Sequence, residues 1–505
     1  MRELPSGWCQ TTLDSVVDVL DFEREPINSS ERESRVSGKS ERDLYPYYGA
    51  TGQVGFIDSY RSEGQRVLLG EDAAPFLDPV KDKAYLANGR FWVNNHAHVL
   101  AGAGGLIDNR FLCHQLNVVD YRPFVTGSTR LKLTSAAMRQ LPLFVAPVGE
   151  QTRIVAKLEE LLSDLDAGVA ELKAAQKKLA QYRQSLLKAA VSGDLTAEWR
   201  QRNRPTETGA QLLERILAER RARWEAGQLA KFEAQGKAPQ KGWQKKYPEP
   251  VRPDTAELPE LPEGWVWASV EQLSESVRNG LSKTPNTDKQ GFRIFKINAV
   301  RPMSVNFSAI KHIEIDEREA ADYWVELGDV LATRYNGSID LLGVFGMIKN
   351  VPEPTLHPDK LIRMKPVMGV KLGAWMEACG NVGLSRKHLV ARVKTTAGQT
   401  GISGEDLKKT PIPLPPAAEQ DMALEMLRGR MEAISELEHP TDLALHQSAA
   451  QRQNILRAAF AGQLVPQDPN DEPASMLLER IRDQRGAQAG AKKPRGRKAK
   501  ETSHA

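Results

Sequence analysis

From Leu158 onward the chain places a leucine at every seventh position: Leu158, Leu165, Leu172, Leu179 and Leu186. The companion positions three residues on are Leu161, Gly168, Ala175, Tyr182 and Ala189. Apolar positions alternating three and four apart share one helix face, and a seven-residue repeat held over several heptads predicts a coiled-coil seam. No proline lies between Glu150 and Ser192, and Gly168 is the only interior glycine. A single helix about 65 Å long is predicted, at about 1.5 Å per residue. It begins after Pro147, with Glu150 placed to complement the helix dipole, and stops at Ser192-Gly193. A second stretch, about 417–461, keeps the seam at Leu427, Ile434 and Ile455 but sets Thr441 and Ser448 in it. It also carries Pro440, which predicts a kink or interruption there. The two stripes predict an antiparallel helix pair with a domain at each end; the alternative is a long amphipathic helix packed on its own domain.

Elsewhere the period changes. Residues 44–110 contain LYPYYGATGQVGFIDSY, RVLLGED and FWVNNHAHVL, and residues 281–400 contain GFRIFKINAV, WVELGDVLATRYNG and LLGVFGMIKN. Short apolar runs between Gly, Asp and Asn predict strands and hairpins. These two variable segments do not align residue by residue, yet their surroundings do. LPSGW at 4–8 returns as LPEGW at 261–265. LPLFVAPVGEQ (141–151) returns as TPIPLPPAAEQ (410–420), with Pro142 over Pro411 and Gln151 over Gln420. LLKAAVSGDL (186–195) returns as ILRAAFAGQL (455–464), with Gly193 over Gly462, and LLERI stands at 212–216 and at 477–481. Four matches in the same order make the chain two copies of one plan.

These patterns divide the chain as follows. A first domain covers residues 1–147, a spacer helix 148–196, and a charged helix with a loose linker 197–258. A second domain covers 259–415, a second spacer helix, interrupted near Pro440, covers 416–462, and a C-terminal segment covers 463–505. The last ends in AKKPRGRKAK, whose Lys492, Lys493, Arg495, Arg497, Lys498 and Lys500 predict a disordered basic tail. The fold class is α+β: two mixed α/β domains joined by two long helices, with an internal pseudo-twofold repeat.

Charge and chemistry narrow the function. The chain has 69 basic and 65 acidic residues, so a polyanion partner is permitted but needs a local positive field. Three scattered cysteines form no disulfide framework or metal motif, the N-terminus carries no secretory signal, and no apolar run reaches the roughly 20 residues of a membrane helix. A cytoplasmic protein without a membrane partner is expected. Gly38-Lys39-Ser40 lacks the first glycine of a phosphate loop, since position 33 is Glu. His96 and His98 lie two apart, which on a strand sets both on one face, but no third metal ligand accompanies them. No nuclease, methylase or nucleophile motif stands out. No catalytic residue, metal or cofactor is assigned to this chain, which points to recognition or scaffolding. The arginines of the charged helix, Arg215, Arg220, Arg221 and Arg223, are read as a solvated face.

The order LPxGW, variable domain, PLPPxxEQ, long helix, LxAAxxGxL, then the same again, resembles the specificity subunit of a type I restriction-modification system over about residues 4–481. YPYYGATGQVGFIDSY, LLGED, NNHAHVL and GQTGISGEDLKKTPIPLPPAAEQ resemble stretches of that family's variable domains. The departures are Pro440 and the basic tail. The resemblance implies a bacterial DNA-recognition subunit whose two target-recognition domains each read one half of a bipartite, asymmetric double-stranded DNA target. It implies two methylase and two restriction subunits as partners, with S-adenosylmethionine, ATP and Mg used by those partners. The alternatives are a coiled-coil scaffold without DNA specificity and a stand-alone restriction enzyme. Donor-rich loop and strand-end positions supply the candidate DNA contacts. In the first domain these are Lys39, Arg42, Tyr47, Tyr48, Arg90, Asn94 and Asn95; in the second, Lys283, Asn286, Lys289, Arg334, Asn336, Arg386 and Lys387.

Overall fold

In a computed structural model of the chain, describing residues 4–286, 289–396 and 399–491, the polypeptide divides into two units. One comprises Met1–Ala175 with Pro440–Ala505, the other Gln176–His439. The first unit opens with strand Cys9–Thr12, which pairs antiparallel with Pro142–Val145, the strand that leads into the first long helix. Its main sheet is antiparallel, in the order Val17–Val19, Ala97–Gly102, Arg66–Gly70, Ala84–Ala87. The RVLLG run is a central strand and is therefore apolar on both faces. Val67 and Leu69 face helix Asn109–Leu116, whereas Leu68 faces Phe91 and Val93 of a second, smaller sheet. That smaller sheet runs Gly52–Ile57, Tyr45–Gly49, Arg90–Val93, Ser62–Glu63.

The second unit repeats this frame. Val266–Ser269 pairs with Pro411–Leu414, and the main sheet runs Ser274–Asn279, Leu361–Pro366, Val330–Thr333, Phe345–Met347. Val330 and Ala332 of its central strand pack towards Trp375 and Met376 of helix Val370–Gly380, while Leu331 packs towards Phe295 and Val300. One residue after each of these helices an asparagine clasps the edge strand. Asn117 Oδ1 accepts from the Lys83 and Ala84 amides (2.7 and 3.0 Å), and Asn381 Oδ1 accepts from the Phe345 amide (3.0 Å). Asn117 Nδ2 donates to Ala84 O and Asn381 Nδ2 to Phe345 O, each at 2.8 Å. The copies thus share their sheet as well as their flanks. The largest difference is inserted at one place, between the first and second main-sheet strands in sequence: residues 20–65 in one unit and 280–329 in the other.

The repeated motifs hold each frame closed. Trp8 of LPSGW donates its indole N–H to Glu150, and Trp265 of LPEGW donates to Glu419, both at 2.9 Å. The glycine that ends a long helix lies under the proline of the same motif. A Cβ on Gly462 would meet Pro5 Cγ at 2.3 Å, and one on Gly193 would meet Pro262 Cγ at 2.8 Å. Both glycines have positive φ, 68° and 81°, so only glycine suits them on two counts. Each LLERI completes a core as well. Leu477 and Ile481 pack among Leu13 and Val16, and Leu212 and Ile216 among Val270 and Leu273. In both units, then, LPxGW from one copy meets the helix stop and the LLERI helix of the other.

The long helices are Val148–Ser192 and Ala417–Ala459. In the first unit Ile154, Val155, Leu158 and Leu162 pack with Leu456 and Ala459, and Arg452 pairs with Asp166. In the second, Leu186 and Leu187 share a core with Leu427 and Ile434, and Arg183 pairs with Glu438 at 2.7 Å. Early residues of one helix meet late residues of the other in both units, so the pair is antiparallel. The seam differs from the strict repeat in detail. Leu162 rather than Leu161 is fully buried, Leu165, Leu172, Leu179 and Ile455 are half-buried, and Tyr182 is 51% exposed. A straight helix drifts off a 3.5-residue seam, and Tyr182 has drifted outside it. Pro440 does not interrupt the second helix, which continues through it. A proline removes one backbone donor but leaves the following turns free to form.

Two further expectations change. The linker is not loose throughout: Trp243 stacks on Trp224 with centroids 5.8 Å apart, and Tyr247 packs edge-on to the same ring. Arg220 is buried and donates to Tyr247 Oη (2.5 Å) and to the Ser274 carbonyl (3.0 Å), so it is structural rather than solvated. Arg215, Arg221 and Arg223 pair with Glu207, Glu225 and Glu219. The C-terminal segment includes helix Ala474–Ala491, which belongs to the first unit's core. The basic tail from Lys492 lies outside the described residues. Among the described residues no helix is long and apolar enough to cross a membrane.

Candidate nucleic-acid interface

In the first unit the insert, together with strand Arg90–Val93, builds a surface of arginines laid over aromatic rings. Asn28 caps helix Ser29–Val36 by accepting from the Glu31 amide at 2.8 Å. That helix sets Arg32 over the Tyr47 ring (5.3 Å) and Arg35 over Trp92 (5.2 Å). Arg61 lies on Trp92 at 5.6 Å and Arg90 on Tyr60 at 4.8 Å. A carboxylate backs most of these cations. Asp58 takes Arg35 (2.6 Å) and Lys39 (2.7 Å), Glu25 takes Arg61, and Glu63 takes Arg90 (2.9 Å). Hydrogen bonds from Lys39 and Arg35 hold the Asp58 carboxyl below its usual range. Val54 (51% exposed) and Phe56 (39%) leave apolar side chains open in the same strand, Gly52–Ile57. Planar donors fixed on rings, with apolar surface among them, suit phosphate and base-edge contacts.

The insert is tied down by a buried charged cluster. His98 is fully buried, with Nδ1 at 2.8 Å from Asp21 and Nε2 at 3.2 Å from the Leu133 carbonyl. Asp21 also accepts from the Val99 amide at 2.9 Å, and Arg24 bridges Asp21 and Glu71. Burial would raise both carboxyls, but His98 and Arg24 outweigh it and hold them low. His96 turns instead to Asp72 at 2.7 Å. The two histidines thus serve different carboxylates rather than one shared face.

The candidate residues separate on this geometry. Lys39, Arg42, Arg90 and Asn95 are exposed, and Tyr48 is half-buried against Tyr85 and Phe91. Tyr47 is buried with its hydroxyl at Ile27, and Asn94 is buried with its side chain accepting from the His96 amide. Those two hold turns and core, because a polar side chain beside a Gly-rich turn satisfies the turn's own backbone first. In the second unit Lys283 pairs with Glu319 at 2.6 Å, Asn286 donates to the Gln290 carbonyl, and Lys289 is exposed at φ 58°. Arg334 lies on Tyr335 at 4.8 Å, and Asn336 accepts from the Ser338 amide. The backbone beside both groups is bonded to one segment: Leu281 N to His357 O, Arg334 N to Lys360 O. The loops carrying Lys283, Asn286 and Lys289 and those carrying Arg334 and Asn336 therefore flank residues 357–360. Arg386 is turned inward, donating to the carbonyls of Asp340 and Leu342, and burial lowers its pKa. Its neighbour Lys387 is exposed. Sequence reasoning missed Arg32, Arg35 and Arg61; the available signal was arginines recurring around Tyr45, Tyr47, Tyr60 and Trp92.

Each unit thus combines a common frame with its own insert and arginines laid on aromatic rings. Residues 5–175 match the family model of the type I restriction modification DNA specificity domain. The chain is 28% identical over 403 residues to the type I restriction enzyme EcoKI specificity subunit of Escherichia coli K12, covering 77% of this chain and 75% of that one. It is 39% identical over 149 residues to a putative type I restriction enzyme specificity subunit of Haemophilus influenzae, 30% of this chain and 36% of that one. A chain from a solved structure on complex assembly and conformational transition of the type I R-M system has the same fold, with a TM-score of 0.55. It is 16% identical, with 92% of this chain and 100% of that one covered. Residues 5–175 thus match a type I restriction modification DNA specificity domain, and over most of its length the chain is similar to type I restriction enzyme specificity subunits.

Proposed function

We propose that each unit reads one half of a bipartite, asymmetric double-stranded DNA sequence through its own insert and the loops and strand ends beside it. The observation that carries this is the pairing of one sheet order with two unrelated inserts at the same point of the frame. A constant scaffold with exchangeable content suits two unlike half-sites. In this reading Lys39, Arg42, Arg90 and Asn95, with Arg32, Arg35 and Arg61, form the first reading surface. Lys283, Asn286, Lys289, Arg334, Asn336 and Lys387 supply the second. Phosphate contacts set register, and base-edge contacts set the word. The antiparallel helices set the spacing between half-sites.

The chemistry belongs to partners: two methylase subunits that use S-adenosylmethionine and flip one adenine per half-site, and two restriction subunits that use ATP and Mg for cleavage. The complex works in the bacterial cytoplasm. Single-molecule methylation mapping of DNA from cells carrying the system tests the reading. The expected motif has two unlike parts separated by a fixed gap. Modified adenines lying in one uninterrupted word would defeat it.

A further inference from the structure

The two closing glutamates are not equally satisfied. In the second unit Glu419 is fully buried and both its oxygens are engaged. Oε2 accepts from Trp265, and Oε1 accepts from Thr196 Oγ1 (2.6 Å) and Arg200 Nε (2.9 Å). Arg200 also covers the Trp265 ring at 5.7 Å. In the first unit Glu150 is 1% exposed and accepts from Trp8 through Oε2, but its Oε1 is buried without a hydrogen-bond partner. Counting on from the matched glycines Gly193 and Gly462, Thr196 corresponds to Val465 and Arg200 to Pro469. Neither replacement can donate to a carboxylate. The nearby Arg153 is committed to Asp471 at 2.6 Å, and burial raises the Glu150 carboxyl, which Trp8, Arg153 and the exposed Gln467 amide offset only in part.

Where the guanidinium stands in one unit, the other has a cleft of about 270 Å³ beside Glu150, lined also by Ser6, Gly7, Gln467, Asp468 and Asp471. A buried charged acceptor left open costs free energy that a charge-assisted donor would recover. Three carboxylates, Glu150, Asp468 and Asp471, select a cation with planar donors over an anion or a neutral group. We propose that this cleft is a binding site for an arginine side chain not supplied by the described residues, its guanidinium closing on Glu150 Oε1 as Arg200 closes on Glu419. The arginine has two possible sources: another protein chain, or Arg495 and Arg497 of this chain's own tail. The proposal is independent of which DNA word is read.

The indole N–H of Trp8 reports on the site directly, and that of Trp265 is its internal control. Methylguanidinium is titrated into the full-length ¹⁵N-labelled protein while the two indole resonances are followed. The same titration is run on a full-length variant carrying Arg495→Gln and Arg497→Gln. The expected result is a saturable shift of Trp8 with Trp265 unmoved, and no such shift with tetramethylammonium, which has no N–H donors. Glu150→Gln should weaken the response by about tenfold, in keeping with loss of a charge-assisted bond. Asp468→Asn, in an exposed loop that leaves the core untouched, should weaken it by about threefold on electrostatic grounds alone. A response in both full-length proteins supports the site with an outside arginine as its occupant; a response only in the tail variant supports it with the tail as occupant. Silence of Trp8 in both, or equal shifts of Trp8 and Trp265, overturns the proposal.

Discussion

Trp8 and Trp265 each join the start of a domain to the start of a long helix by one indole hydrogen bond to a buried carboxylate. Hydrogen bonds to charged groups contribute about 1.5–3 kcal/mol. Trp8→Phe and Trp265→Phe should each lower unfolding stability by about that amount, measured by urea denaturation. Trp265→Phe should be the milder, because Thr196 and Arg200 still hold Glu419. A pH effect belongs to this scale too. Asp329 is buried and accepts from the Glu326 amide, and burial raises its pKa to about 6. His357 is buried and lowered to about 4. The raised acid makes a contribution that is present at pH 4 and lost as pH rises through 6. The depressed histidine makes one that is present above about pH 6.5 and lost as pH falls through 4. The two oppose each other in one window. Asp329→Asn should therefore uncover the histidine: variant stability relative to wild type should grow by up to about 3 kcal/mol between pH 4 and pH 7. A difference that stays flat across that range would count against the assignment.

At the scale of elements, what could be read from the chain was what repeats. The heptad leucines placed both helices, and LPxGW, Glu-Gln, the glycine stop and LLERI marked the frame, because these residues meet one another and are under the same demands twice. The shared main sheet was not visible. Its central strands are buried on both faces, so any apolar residue serves at most of their positions and no residue-by-residue match survives. The asparagine clasps at Asn117 and Asn381 are single residues in unlike surroundings, too short a signal to find alone. Site residues were legible only in part. Donor-rich loops were found, but Tyr47, Asn94 and Arg386 satisfy their own backbone, while the arginines on Trp92 depend on a tertiary stack. Pro440 was read as a break because propensity argues for one, yet pairing on both sides carries the helix through. Pro440→Ala should then raise the thermal stability of the full-length protein by about 1–3 kcal/mol, measured by calorimetry, since the helix gains a donor and loses a clash.

For the whole molecule, the inserts and not the frame should determine the word that is read. Exchanging the insert, residues 20–65, for that of a relative keeps the main sheet, Pro5, Trp8 and the helix starts. It should change one half of the methylated sequence and leave the other half and the gap as they were, as mapped on genomic DNA. A change in both halves would show that the inserts do not act separately.

The second unit is one unbroken stretch of chain, Gln176–His439, whereas the first needs both Met1–Ala175 and residues beyond Pro440. Synthesis runs from the N-terminus, and domains fold as their residues emerge. The unit begun first is therefore finished last, when Leu477 and Ile481 arrive to cover Leu13 and Val16. A ribosome that stops early releases a chain with its second half formed and its first half open, so an incomplete product cannot pass for a working one.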